Sequence, residues 1–256
     1  MNLFFILFAI LLVEPESAIA NIRASRMRPV PEAQHLKARG RNLEVQSEDL
    51  LVDCDQNKCR FAAIYRLSNK TANAFKLDTT FVAPVDGRID LTCPGSSATS
   101  SELRPLGIFA GERSQGYEQE RPQLSEAAVV CEIPSGDSSI EIRYEQLAGL
   151  DEEGVSYFTS SWFRRFFYYE LAPLKEWALS ETFKLNFQLT IPDEPIGFFR
   201  SIFFADPVVI CQGDKKDLET SSRSASGDNI TYSYLFGKNF PDRLHCEYQI
   251  DDIDVE

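Results

Sequence analysis

Proton transfer and nucleophilic attack at neutral pH call on a small set of side chains, and this chain carries few of them. It has only two histidines, His35 and His245. A serine nucleophile would need such a base, yet no Gly-x-Ser-x-Gly turn is present. His245 falls at a polar position of an alternating segment, where a plain surface histidine accounts for it. The six cysteines are Cys54, Cys59, Cys93, Cys131, Cys211 and Cys246. They would offer a nucleophile only as free thiolates. Being even in number, they pair as three disulfides in an oxidising compartment. Six cysteines allow many connectivities, and sequential pairing is the preferred one: Cys54 with Cys59 across a hairpin, Cys93 with Cys131, and Cys211 with Cys246. No Cys-x-x-Cys pair exists and His245 adjoins Cys246, so no zinc site is expected.

Other chemistries lack their signatures. The chain has no Gly-rich phosphate loop, no dinucleotide fingerprint and no His-Glu-x-x-His. No cofactor or metal is expected. A glycan hydrolase needs only two suitably spaced carboxylates, but 39 Asp and Glu residues make abundance uninformative. Asp251, Asp252 and Asp254 lack the Gly-centred spacing of a calcium loop and read as a solvated acidic tail. Two glycosylation acceptors are present in form, Asn69-Lys70-Thr71 and Asn229-Ile230-Thr231.

The elements that would position any site follow from composition and pattern. The 256 residues carry a formal net charge of −13 and a pI near 4.7, which argues against nucleic acid as a partner. Apolar residues at 43% and charged residues at 25% fit a folded domain. Residues 1–20 read as a signal peptide. Their apolar block from Leu3 to Val13 is too short to span a bilayer, and Ala18 and Ala20 precede the expected cleavage before Asn21. Residues 21–41 form a basic, Pro-containing leader with Arg23, Arg26 and Arg28 among six basic residues, against one acid. It reads as a solvated linker or as an arm for surface contact with anionic groups. The expected address is secreted, without a transmembrane span.

From Leu43 the apolar residues alternate at period two between clusters of Gly, Pro, Asn, Asp and Ser, which predicts an all-β fold. Phe183, Leu185, Phe187, Leu189 and Ile191 give the cleanest strand. Leu244 to Ile250, Ile230 to Phe236, Ile140 to Tyr144, Phe61 to Leu67 and Phe75 to Phe81 give others. Asp86-Gly87 reads as a hairpin into Ile89 and Leu91. Ser96 to Ser101, Gly111 to Pro122 and Gln212 to Asn229 read as surface loops, the last long enough to be a contact surface. Tyr157 to Trp177 reads as a strand or bent edge. Its aromatics, including Trp162 and Tyr168, fill a core on one reading and stack on sugars or a protein partner on the other. Core packing is the expected role of such a cluster, and Arg164 and Arg165 among them keep the second reading open, because an entirely buried segment would not place two charges together. The expected architecture is an antiparallel β-sandwich, disulfide-stapled, spanning 42–250 as one elaborated sandwich or as two lobes divided near 148–154, with an acidic tail at 251–256.

Glu48-Asp49-Leu50-Leu51-Val52, Tyr65-Arg66-Leu67-Ser68-Asn69 and Phe81-Val82-Ala83-Pro84 resemble the opening strands of uncharacterised secreted bacterial β-sandwich proteins of the DUF4424 type. Tyr169-Glu170-Leu171, Pro173 and Trp177 resemble a later segment of theirs. The resemblance implies a sandwich outside the cytoplasm and assigns no catalytic residue. The expected function is therefore a secreted, non-enzymatic protein that binds a macromolecular partner or an envelope surface, a basic protein in its specific form. A carboxylate-dependent glycan enzyme or a carbohydrate-binding module is the alternative.

Overall fold

The computed structural model describes residues 21–23, 42–85, 87–108, 123–152, 163–193, 209–214 and 216–249. Seventeen strands, numbered in chain order, form three sheets among them. The largest has eight strands in the order β15 (Ser222–Ser226), β16 (Asn229–Phe236), β12 (Ala178–Pro192), β2 (Leu43–Cys54), β3 (Lys58–Asn69), β9 (Gly136–Leu147), β5 (Ile89–Thr92) and β6 (Thr99–Ser101). A five-stranded sheet runs β10 (Gly149–Glu152), β11 (Phe163–Glu170), β17 (Arg243–Gln249), β13 (Val209–Gly213) and β14 (Lys216–Asp217). A four-stranded sheet runs β1 (Asn21–Arg23), β4 (Phe75–Pro84), β8 (Gln123–Ile133) and β7 (Leu103–Ile108).

Both smaller sheets cover the same face of the large one. Phe61 of β3 stacks on Tyr144 of β9 at 4.7 Å and meets Phe167 of β11 edge-on at 5.4 Å, while Tyr144 touches Phe81 of β4 at 5.3 Å. One continuous apolar cluster results. The alternation explains it: Phe183, Leu185, Phe187, Leu189 and Ile191 are all buried, and Lys184 between them is exposed. Such burial is the main stabilising term of the fold.

The three disulfides join the cysteines in sequential pairs. Cys54 and Cys59 face each other across the β2–β3 hairpin, whose turn is held by Asp55 Oδ1 accepting from the amides of Asn57 and Lys58. Cys211 and Cys246 are opposed on β13 and β17. Cys93, just after β5, reaches Cys131 on β8 and ties the large sheet to the four-stranded one.

Several local expectations are corrected. Asp86-Gly87 does not close a hairpin, because β4 pairs with β1 and β8 whereas β5 pairs with β6 and β9. Gly87, at φ 92, instead turns the chain from one layer to the other. Gln212 to Asn229 is no single loop: β14 and β15 lie inside it, and Gly227 at φ 59 helps close the β15–β16 hairpin. Ser96 to Ser101 contains β6. The segment before Trp177 is a strand only to Glu170, after which Pro173 sits in a 3-10 turn over Ala172–Glu176. One pair, β12 with β2, is parallel, so the large sheet is mixed. At Ala148, where a division of the β region is expected, the chain passes from the large sheet to the five-stranded one.

Arg23 lies on β1, adding an edge to β4. Arg26, Arg28, Trp162, the signal segment, Gly111 to Pro122 and the 251–256 tail lie outside the described residues. Among the described residues no helix is long and apolar enough to cross a membrane. Of the two glycosylation triplets, Asn229 is exposed, while Asn69 is buried and donates its amide to the carbonyls of Asn73, Ile133 and Pro134.

Candidate functional site

Side chains alternate across a strand, so covering one face of the eight-stranded sheet leaves the other outward. The register aligns its outward residues in rows. One row runs Gln188, Leu51, Ala62, Arg143 and Asp90 across β12, β2, β3, β9 and β5. The next runs Thr231, Thr190, Asp53, Arg60 and Glu145 from β16 to β9. With Gly87 and Arg88 these residues, Thr231 excepted, line an open trough of about 700 Å³. Its floor is apolar at Leu51, which is 37% exposed, and at Ala62.

Charges alternate along one end of the trough. Arg60 lies 3.1 Å from Asp55, 3.4 Å from Glu145 and 3.6 Å from Asp53, while Lys58 meets Glu145 at 2.6 Å and Arg88 meets Asp90 at 3.3 Å. Lys58, first by its hydrogen bond, and Arg60 hold the Glu145 carboxyl below its ordinary range. These pairs are partly to largely solvent-exposed, and such pairs contribute on the order of 0–1 kcal/mol each. A ligand's own charges can therefore replace them at little cost. Among the described residues no group of three or more His, Cys, Asp or Glu side chains is placed to hold a metal ion.

The aromatic segment divides by parity. Phe167 and Tyr169 enter the core, whereas Arg164, Phe166, Tyr168 and Glu170 lie on the other face of β11. On that face Tyr168 stacks on His245 at 4.5 Å, Phe166 meets Tyr168 edge-on at 5.5 Å, and Arg243 lies over the Tyr168 ring at 5.7 Å and pairs with Glu170. Arg164 is only 3% exposed, 3.9 Å from Glu247, and so is not presented to a partner as a free charge. Arg165, opposite Tyr248 in the register, is partly buried, and desolvation lowers its pKa. Tyr168 and Arg165 are thus held by sheet neighbours rather than brought to the trough.

Gly149 sits opposite Phe166, whose ring covers it so closely that an added Cβ would lie 2.2 Å from Cζ. Gly149→Ala is expected to displace that ring and lower stability by about 1–3 kcal/mol. Gly237, with no atom within 4 Å of an added Cβ, is the control. Thermal unfolding of the two alanine variants checks this, and equal midpoints would count against it.

A second polar cluster is hidden in the core. Between Val45 and Ser47 the register of β2 against β3 shifts, so that the buried parity changes from Leu43 and Val45 to Leu50, Val52 and Cys54. Glu48 falls in phase with the second set and is fully buried. Its Oε1 accepts from the Tyr169 hydroxyl at 2.9 Å, and the Tyr65 and Tyr169 hydroxyls are 3.2 Å apart. Burial raises the Glu48 pKa to about 7, against the opposing effect of those hydroxyls. The break in alternation between Val45 and Leu50 was the sequence signal for this inward turn.

No family model matches the chain. No curated protein matches it. Among solved structures it is similar to a "putative nutrient binding protein" from Legionella pneumophila, with 13% identity over 90% of this chain and 70% of that one and a TM-score of 0.48. It is also similar to a two-domain M1 zinc metallopeptidase bound to tryptophan, with 9% identity, 81% and 43% coverage and a TM-score of 0.37. An M1 zinc metallopeptidase from Deinococcus radiodurans gives 10% identity, the same coverages and a TM-score of 0.34. The chain spans less than half the length of those two peptidases.

Proposed function

We propose that this protein acts outside the cytoplasm as a binding protein that lays an extended basic segment of a partner protein along the outer trough of its eight-stranded sheet, without transforming it. The observation that carries this reading is the trough itself, an open sheet face left uncovered among the described residues, with an apolar floor and exchangeable ion pairs. A net charge of −13 favours a basic partner, since charge of one sign steers its opposite and raises the association rate. Three disulfides suit an oxidising compartment.

The carboxyls argue for binding over hydrolysis. A carboxyl general acid needs a raised pKa and access to substrate. Burial raises both Glu48 and Glu170, but Glu48 is sealed in the core and Glu170 is paired with Arg243. Glu145, in the trough, is shifted the opposite way. The test is a panel of a lysine-rich peptide, a sulfated glycan and a neutral polysaccharide, followed for binding and for product. The peptide should bind, more weakly as salt rises, and no product should form. Polysaccharide turnover that disappears on changing a single Asp or Glu would refute the reading.

A further inference from the structure

We infer that Glu48 is a pH-sensitive latch between the eight-stranded and five-stranded sheets, tight while its carboxyl is neutral and loosened when it ionises. The shift of register on β2 turns this side chain into the interface, where only Oε1 receives a hydrogen bond of ordinary geometry. Among the described residues Oε2 is buried without such a partner, and so is the hydroxyl of Tyr144. An ionised carboxylate leaves a bare oxygen in that position at a high desolvation cost. A neutral carboxyl with its proton on Oε2 carries no net charge into that position and so avoids most of that cost.

Among the described residues, the groups facing Glu48 supply no cation. Tyr65 acts on it from β3, Tyr144 from β9 and Tyr169 from β11, while Asp49, its neighbour on β2, disfavours ionisation further. Leu185 is its register partner on β12. Because Tyr169 belongs to the five-stranded sheet, water admitted to hydrate the carboxylate must enter between the two layers. The tight state keeps that interface dry.

Infrared difference spectra of the full chain from about pH 5 to about pH 8 test this directly. A protonated-carboxyl band should vanish as pH rises, be absent in Glu48→Gln and persist in Glu170→Gln. In parallel, amide exchange of Phe167, Phe166 and Tyr169, taken relative to Glu48→Gln, should accelerate on the order of a hundredfold over the same range. Tyr169→Phe removes a hydrogen bond that favours ionisation and should move the band's midpoint upward, a readout that stands if Glu48→Gln does not fold. No band at the acid end, a band that survives in Glu48→Gln, a constant exchange ratio or an unmoved midpoint in Tyr169→Phe would each overturn the latch.

Discussion

Replacing Cys93 and Cys131 together by alanine is expected to lower stability by about 4 kcal/mol, with the four-stranded sheet losing protection first. The two cysteines are 38 residues apart, and closing a loop of that length removes about this much conformational freedom from the unfolded chain. This bridge also joins two sheets, whereas the other two disulfides link neighbouring strands. Cys54 and Cys59 are only 5 residues apart, and removing that bridge should cost about 2 kcal/mol by the same reasoning. Urea unfolding of the two double variants gives the ranking. A loss below about 1 kcal/mol for the Cys93–Cys131 pair would mean that packing such as Phe81 on Tyr144 holds the layers unaided.

Glu48→Gln should be more stable than the parent at about pH 8 by about 2 to 3 kcal/mol, and nearly equal to it near about pH 4.5. The Glu48 pKa is about 7 in the folded protein against an ordinary 4.5. Between those two values the folded state holds a proton that the unfolded state has released, so stability falls as pH rises through the window. Below it both states are protonated and the group contributes nothing; above it the full cost of about 3 kcal/mol is present. Other carboxyls titrate too, Glu170 in the same direction and Glu145 in the opposite one, so the informative quantity is the difference between the two proteins. Parallel stability curves from acid to neutral pH would contradict the assignment.

Local pattern carried much of the architecture. The buried positions of Phe183 to Ile191, of Leu244, Cys246 and Tyr248, and of Ile140, Ile142 and Tyr144 all follow from period-two alternation. The Cys54–Cys59 disulfide was legible because its cysteines flank a short polar turn. What local pattern does not encode is which strands pair. Asp86-Gly87 looks like a hairpin turn, yet the strands on either side find partners in different sheets. β15 was invisible because Ser222 to Ser226 are all exposed at a sheet edge, with no buried face to produce an apolar period. The trough was hidden for a related reason. Leu51, Asp53, Arg60, Ala62, Arg143 and Glu145 are the ordinary outward residues of their strands, and only the register makes them neighbours. Alternation sends half of the aromatic run to the core and packs the rest against His245, Arg243 and Gly149.

If the outer trough is the recognition surface, filling it must weaken binding. Ala62 lies in the middle of its floor, pointing away from the core, so Ala62→Trp fills the trough without changing charge. The decisive measurement is the affinity of this variant and its parent for one lysine-rich peptide at low salt, with melting temperatures recorded for both. A loss of at least about tenfold, some 1.4 kcal/mol, is expected, with little change in melting. Equal affinity in the two proteins would show that the peptide binds elsewhere and that the trough is only the solvated face of a sheet.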